Sequence, residues 1–411
     1  MADAPEVGQR TTLPVRAMAH GGEGIADAPD GRVVFVRGAI PGDTVEVQLT
    51  KVKKRWARGD VLRVVTPSAD RVEPVCPAAA AGAGCCDYSH IAPEAQLRYK
   101  TDILAGQLGV LARNSGVLDA LGGPDAFDSV ALNPTLGWRT RVRLGVDSAG
   151  RAGMRKAKST DVVADILCAQ AATGLLDGIV GSDARSFTPG AELIVVLDVD
   201  GQRHVVESTT PQRGRRAERI ARVIEGSGNV TERIGTHEFT FPATAFWQAH
   251  AHAPEAYSEL IEQWGSTDYV HQSGWDLYGG VGAFVPAIHA ALGGGRVTTV
   301  DTSDAAASGA RDAFPAIDWE YRHARVESGL GGLSQPGLVV LDPPRAGAGA
   351  EVVNAITAAE PERIIHIGCD PATFARDVGL FGRQGFVVKQ MRLIDAFPQT
   401  HHFEVVAALT R

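Results

Sequence analysis

Two side chains near the carboxyl end of this 411-residue chain are suited to covalent chemistry. Cys369 stands in Ile367-Gly368-Cys369-Asp370-Pro371-Ala372-Thr373-Phe374, on a proline-containing turn after an apolar run. Glu404 closes the segment Phe397-Pro398-Gln399-Thr400-His401-His402-Phe403-Glu404. A thiolate adds to an electrophilic carbon, and a nearby carboxylate then removes a proton so that the thiolate is expelled. An isolated cysteine at a strand end is more often a small buried hydrophobe. Here the carboxylate and two further motifs need the same explanation, which favours a reactive thiol.

Those motifs lie upstream. Asp276-Leu277-Tyr278-Gly279-Gly280-Val281-Gly282-Ala283-Phe284 reads as a strand end, a glycine loop and the start of a helix. Glycines let the backbone approach a ligand closely, and open α/β sheets bind nucleotides at that end of the strand. Val300-Asp301 closes the next apolar run and puts a carboxylate where a ribose diol would sit. NAD, FAD and S-adenosylmethionine (SAM) sites share this logic. Leu341-Asp342-Pro343-Pro344-Arg345 favours SAM, because a carboxylate braced by two prolines makes a rigid wall beside the cofactor. Enzymes that methylate exocyclic amines place an aromatic after such a Pro-Pro pair. Arg345 suits an anionic neighbour such as RNA instead.

The elements that must position these groups alternate. Apolar runs at Val297–Val300, Leu338–Leu341, Arg363–Ile367, Phe386–Val388 and Phe403–Leu409 are separated by helix-length segments. That pattern predicts a mostly parallel, doubly wound, Rossmann-like domain over residues 236–411. Residues 1–68 read as a small five-stranded OB-like β-barrel. Val33–Val36, Thr44–Leu49 and Val61–Val65 are its strands, Gly21-Gly22, Pro29-Asp30-Gly31 and Pro41-Gly42-Asp43 its turns, and Lys51–Arg58 a loop. Residues 69–235 form a mixed α+β central region. It holds a cysteine-containing loop, a helix starting near Pro93, and a strand-like run, Arg139-Thr140-Arg141-Val142-Arg143-Leu144, with one basic face. The fold class is therefore α/β in more than one domain, as the length requires.

The formal net charge is −8, but basic residues are clustered. Residues 51–63 carry six against one acid, residues 139–158 seven against one, and residues 213–222 five against one. Single runs are ordinarily solvated faces. Three of them ahead of the cofactor motifs point to a polyanionic partner. The N-terminus has no apolar core of a signal peptide, and no stretch is long and apolar enough to span a membrane. With an odd count of five cysteines, this predicts a reducing, cytoplasmic location and no membrane partner.

At these residues the chain resembles the RNA uracil-C5 methyltransferase family, in its TRAM-domain-containing branch, over nearly its whole length. The barrel resembles a TRAM domain, and Asp276–Phe284 the first SAM motif. Leu341–Gly347 resembles the Asp-Pro-Pro-Arg motif, Gly368–Asp377 the nucleophile motif and Phe397–Glu404 the general-base motif. The resemblance implies that Cys369 is the nucleophile and Glu404 the base, with Gln248, Tyr278, Asp301 and Asp342 contacting SAM. Uracil C5 is a poor nucleophile. Thiolate addition at C6 makes it carbanion-like, and a base must then take the C5 proton. The target base must leave its stack, so Phe397, Phe374 and Phe246-Trp247 are candidate stacking surfaces, although each taken alone is more often a core residue. Three positions depart from the family: Asp370 and Ala283 each replace a usual Asn, and Asp301 replaces a usual Glu.

Members of this branch often carry a [4Fe–4S] cluster on four cysteines, and four remain beside Cys369: Cys76, Cys85, Cys86 and Cys168. The family spacing is C-x5-C-x2-C with a distant fourth. This chain has C-x8-C-C, with Ala83 where one partner would fall, and Cys168 matches the distant ligand. The cluster is the first expectation, zinc on the same thiolates the second, and a metal-free loop the third. The C-x3-C-x2-C spacing of radical-SAM chemistry is absent. The implied substrate is RNA, with 23S rRNA favoured over the tRNA T-loop, and the implied state is a monomer. Two other classes compete: a SAM enzyme acting on a small molecule or protein, and a weakly active RNA-binding module.

Overall fold

The computed structural model describes residues 6–209, 220–303 and 314–411. The basic run at 213–222 lies mostly outside them.

The first five strands close into a barrel in the order β1-β2-β3-β5-β4. They are β1 (Arg10–Met18), β2 (Glu23–Asp27), β3 (Val33–Arg37), β4 (Thr44–Val52) and β5 (Trp56–Thr66). Side chains alternate with period two. Leu13, Val15, Val34, Val36, Val45, Val47 and Ala57 fill the interior while their neighbours face out. A Cβ at Gly59 would stand 2.3 Å from Val47 Cγ1, so only glycine fits where the barrel narrows. Lys51–Arg58 is not a loop. Lys51 and Val52 end β4, Trp56 begins β5 with Arg58 two residues on, and only Lys53–Arg55 turn between them. The clustered charge hid the alternation of Trp56 and Arg58 outward with Ala57 inward.

The central region is an antiparallel six-stranded sheet in the order β12-β11-β10-β7-β8-β9. Its strands are β7 (Arg141–Val146), β8 (Ala152–Arg155), β9 (Val162–Ala164), β10 (Glu192–Leu197), β11 (Arg203–Thr209) and β12 (Ile220–Glu225). A hairpin of β13 (Asn229–Ile234) and β14 (His237–Pro242) follows. One face of the sheet packs on the loop that carries Cys76, Cys85 and Cys86.

The carboxyl-terminal sheet has eight strands in the order β17-β16-β15-β18-β19-β21-β20-β6. They are β6 (Asp128–Ala131), β15 (Ser273–Leu277), β16 (Arg296–Asp301), β17 (Trp319–His323), β18 (Leu338–Leu341), β19 (Arg363–Gly368), β20 (Val387–Asp395) and β21 (Glu404–Thr410). From β17 to β19 all neighbours are parallel, as the alternation predicts. β21 inserts antiparallel between β19 and β20. β6 pairs parallel to β20, and the helix Pro93–Leu111 shares an apolar core with this sheet. Residues 93–131, read as part of the central region, thus pack with the carboxyl-terminal sheet. Local sequence patterns do not reveal which sheet a strand joins.

Candidate active site

Register places the polar groups. Leu277 pairs with Val300 on one side and with Leu341 on the other. Tyr278, Asp301 and Asp342, the next residues along these strands, therefore stand in one row at the carboxyl edge of the sheet. Tyr278 adopts φ +61° and Gly280 φ +55°, which turns the chain sharply away from β15. Asp301 Oδ2 fixes that turn by accepting from Gly280 N at 3.0 Å, and its Oδ1 accepts from Ser303 N at 2.7 Å. On the other flank, antiparallel pairing matches Gly368 with Val405. One step further along that ladder Cys369 comes opposite Glu404.

These residues border one cavity of about 940 Å³, which Gln248, Tyr278, Asp301, Asp342, Cys369 and Glu404 all line. Arg141 reaches under its floor and donates to the carbonyls of Ala243 (3.2 Å) and Ala245 (2.6 Å), which holds the segment leading to Gln248. The candidate stacking aromatics separate. Phe246 is 68% exposed at the mouth, and Phe397 lines the wall edge-on to Trp138. Trp247 lines the cavity but is largely buried, packed between Phe239 and Phe241. Phe374 is a core residue stacked on His366, out of reach of any ligand. Its place on the inner face of the helix Pro371–Arg383 dictates this.

Two carboxyl groups of the lining, Asp342 and Glu404, are pushed toward the protonated form. Burial, with Asp276 second, pushes Asp342 up to about 7. Burial also pushes Asp276 up to about 7, against the hydroxyl of Thr299 at 2.8 Å. Glu404 rises well above the usual carboxylate range through burial and then Asp342, while Arg345 draws it down. Its Oε2 is buried with no hydrogen-bond partner among the described residues. Burial, Glu404 and Asp342 push the Cys369 thiol up to about 12, again against Arg345. Asp342 and Glu404, the latter with an unpartnered oxygen, line one pocket and fit a cationic ligand, whose charge would draw them back toward ionisation. SAM, a sulfonium, is such a ligand.

Contacts from distant parts of the chain hold the turn that carries Cys369 and the segment before Glu404. Asp370 caps the helix Pro371–Arg383, its Oδ1 accepting from Ala372 N and Thr373 N at 3.0 Å. Its Oδ2 lies 2.9 Å from Nε2 of His20, a barrel residue. Burial alone would raise Asp370, but His20 and these amides outweigh it and hold the carboxyl at about 2. Arg345 donates to His402 Nε2 at 3.3 Å, and Thr373 Oγ1 donates to Arg345 O at 3.0 Å. Burial, His401 and Arg345 push His402 down to about 3, so its ring is neutral. Sequence reading missed His20. A barrel histidine carries no local signal of a contact 350 positions away.

Basic groups rim the opening. Arg143, Arg155, Lys156 and Lys158 line it from the central region, with Arg139 set deeper in the lining. Glu23 bridges Lys158 (3.8 Å) to Arg58 (3.2 Å) and so joins this rim to the outer face of the barrel. There Arg58 lies 5.5 Å from the Trp56 ring and 5.8 Å from Phe35, and Lys51 lies 5.5 Å from Trp56. Exposed cations over aromatic faces are the components of a single-strand nucleic-acid surface.

Behind the rim, Cys76, Cys85, Cys86 and Cys168 converge as free, buried thiols. Their sulfurs all lie within 4.8 Å of one another, with Cys76–Cys85 at 4.0 Å, Cys76–Cys168 at 3.9 Å and Cys86–Cys168 at 3.6 Å. Four buried thiols and no disulfide are a donor set for a thiolate-bound metal group.

The family described as TRAM domain matches residues 5–62, and that described as tRNA (Uracil-5-)-methyltransferase matches residues 332–411. An uncharacterized RNA methyltransferase of Corynebacterium glutamicum is 47% identical, with all of both chains covered. One of Streptomyces coelicolor is 33% identical over 98% of this chain and 93% of its own. Among solved structures, the tRNA (uracil-54, C5)-methyltransferase of Pyrococcus abyssi, in complex with S-adenosyl-L-homocysteine, superposes with a TM-score of 0.70. It is 20% identical and covers 97% of this chain and 99% of its own, which shows a shared fold.

Proposed function

The chain belongs to the TRAM-containing branch of the RNA uracil-C5 methyltransferase family, and on that premise we propose that it methylates C5 of a uridine in RNA. The observation that carries this reading is the ladder that sets Cys369 opposite Glu404 beside the row Tyr278, Asp301 and Asp342. In it, residues 1–68 and 69–235 hold RNA and residues 236–411 perform the transfer, with the chain acting as a monomer in the cytoplasm. No helix among the described residues is long and apolar enough to cross a membrane.

Gln248, Tyr278, Asp301 and Asp342 would hold SAM, which supplies the methyl group and a sulfonium charge. Cys369 adds to C6 of the flipped uracil, and the C5=C6 electrons move onto the C4 carbonyl as an enolate. C5 can then form its bond to the methyl carbon as the bond from that carbon to the sulfonium sulfur breaks, S-adenosylhomocysteine being the leaving group. Glu404, as carboxylate, takes the C5 proton, the C5=C6 bond re-forms, and Cys369 leaves as thiolate. Arg345 favours both anions, because it lowers Cys369 and Glu404 alike. The basic rim and the Trp56–Arg58 face would track the RNA backbone and stack unpaired bases.

The proposed substrate is 23S rRNA, in keeping with a TRAM domain combined with a cysteine site. The tRNA T-loop uridine is the second reading, and the fold shared with the P. abyssi enzyme favours it. The four cysteines would hold a [4Fe–4S] cluster, as the resemblance implies. Zinc is the second reading there: sulfurs about 2.3 Å from one tetrahedral ion stand about 3.8 Å apart, close to the spacing between these thiols. Methyl transfer from labelled SAM to unmodified total RNA, followed by nuclease digestion and mass spectrometry, tests the function. Label on uridine C5 supports it and names the RNA. Label elsewhere, or none with SAM binding intact, refutes it.

A further inference from the structure

We infer that Asp87 is a positioning residue for the proton-removal step, tying the cysteine loop to the strap that carries Glu404. The inference rests on the reading of Glu404 as the base.

The strap, residues 396–403, joins β20 to β21 and passes directly along the cavity wall. At its centre Gln399 is buried and adopts φ +69°. A non-glycine residue keeps that conformation only where its surroundings hold it. The holding groups come from two places. The helix Pro93–Leu111 supplies Gln96, whose Oε1 accepts from Gln399 N at 2.8 Å and whose Nε2 donates to Gln399 Oε1 at 3.2 Å. The cysteine segment supplies the rest. Tyr88 N donates to Gln399 O at 3.0 Å, and Gln170, two residues after Cys168, donates to both Cys85 O (3.1 Å) and Pro398 O (3.4 Å).

From that segment the side chain of Asp87 reaches His401, near the Glu404 end of the strap. Its Oδ1 accepts from His401 N at 3.1 Å, and its Oδ2 bonds His401 Nδ1. His401 stands three residues before Glu404 and packs against His402, ring centroids 3.9 Å apart. The barrel covers the pair: a Cβ on Gly22 would stand 3.0 Å from Asp87 Oδ2 and 3.3 Å from His401 Cβ. The strap's end is thus gripped on one side by the segment after Cys86 and on the other by the barrel turn. Loss of the Asp87 grip frees the residues that aim Glu404 and leaves Cys369, on another strand, in place. Addition and methylation should then outrun elimination.

The test compares Asp87→Ala, Asp87→Asn and Glu404→Gln in the full chain during turnover on RNA with SAM. The readouts are kcat, the RNA KM, SAM affinity, melting temperature and the fraction of protein covalently joined to RNA. Asp87→Ala is expected to lower kcat by about tenfold or more, as small misplacements of catalytic groups do. RNA adduct should accumulate, while the RNA KM and SAM affinity stay unchanged. Asp87→Asn keeps an acceptor for His401 N and should recover most of the rate. A fall in kcat without adduct, or a loss confined to RNA binding or melting temperature, overturns the role. If Glu404→Gln itself accumulates no adduct, the reading of Glu404 fails and this inference falls with it. If Glu404→Gln traps RNA and neither Asp87 variant does, only this inference is overturned.

Discussion

Cys369 stands one step beyond the Gly368–Val405 pair of an antiparallel ladder, opposite Glu404. Sheet register therefore places the backbones of the proposed nucleophile and base, while the strap 396–403 leads directly into Glu404. The two groups can act in succession on one ring, with C6 toward the thiol and C5 toward the carboxylate. Cys369→Ala is expected to abolish turnover and leave SAM binding intact, as calorimetry with SAM and a methyl-transfer assay would show. Residual methylation by that variant would remove Cys369 from the mechanism.

The raised thiol gives a pH dependence. Burial, Glu404 and Asp342 push Cys369 up to about 12. In the ligand-free protein its thiolate fraction should grow about tenfold with each pH unit below that value. Alkylation of Cys369 by iodoacetamide, followed at the peptide level, is expected to be slow at neutral pH and to keep rising through the alkaline range. A plateau at about 8.5, the ordinary thiol value, would show that the acidic pocket does not act on it.

The motif residues were legible in the sequence because each sits at the end of an apolar run, where a parallel sheet presents its ligand edge. The alternation of Val297–Val300, Leu338–Leu341 and Arg363–Ile367 with helices was enough to place Asp301, Asp342 and Cys369 on that edge. The insertion of β21 between β19 and β20 was not legible, since pairing order is set by long-range packing. For the same reason the sequence did not show that β6 joins this sheet, or that His20 and Asp87 reach the site. Phe374 takes the core position that is the commoner fate of such an aromatic, and the sequence alone did not separate it from Phe246 and Phe397 because packing decides which helix face is buried.

His20 and Asp370 tie the barrel to the nucleophile turn at 2.9 Å. Asp370→Ala removes that tie and a helix cap, and should cost about 1 kcal/mol of stability. The folded-state pKa of about 2 lies below the ordinary 3.8, so this stabilisation is complete above about 3.8 and disappears as pH falls through 2. The difference in melting temperature between wild type and variant is expected to shrink over that interval. A difference that does not change with pH would contradict the charge-assisted pairing. His20→Ala should lower kcat with SAM affinity unchanged.

Trp56 and Arg58 on the outer barrel face should contribute to RNA affinity. Trp56→Ala is expected to weaken binding by about 1–3 kcal/mol if one base stacks there. Arg58→Ala should reduce the salt dependence of binding by about one phosphate contact. Filter binding at several salt concentrations checks both, and unchanged affinity in the two variants would move the RNA path elsewhere.

The cysteine site has a direct readout in metal content. Iron with acid-labile sulfide would identify a cluster, and one equivalent of zinc a single tetrahedral ion. Cys168→Ala should lose the metal and lower the melting temperature, by about 2–4 °C for each kcal/mol lost. Protein purified without oxygen that contains neither metal would mean that the four thiols are a packing cluster only.

The central claim is covalent catalysis by Cys369 on uracil, and RNA carrying 5-fluorouridine tests it most directly. Fluorine at C5 leaves no proton for Glu404 to remove, so after addition and methylation the thiolate cannot be expelled. Wild-type protein, SAM and fluorinated RNA should give a denaturant-stable complex that carries one new methyl group, with peptide mapping placing the nucleotide on Cys369. No complex despite methylation of ordinary RNA, or a nucleotide attached to another residue, would contradict the account.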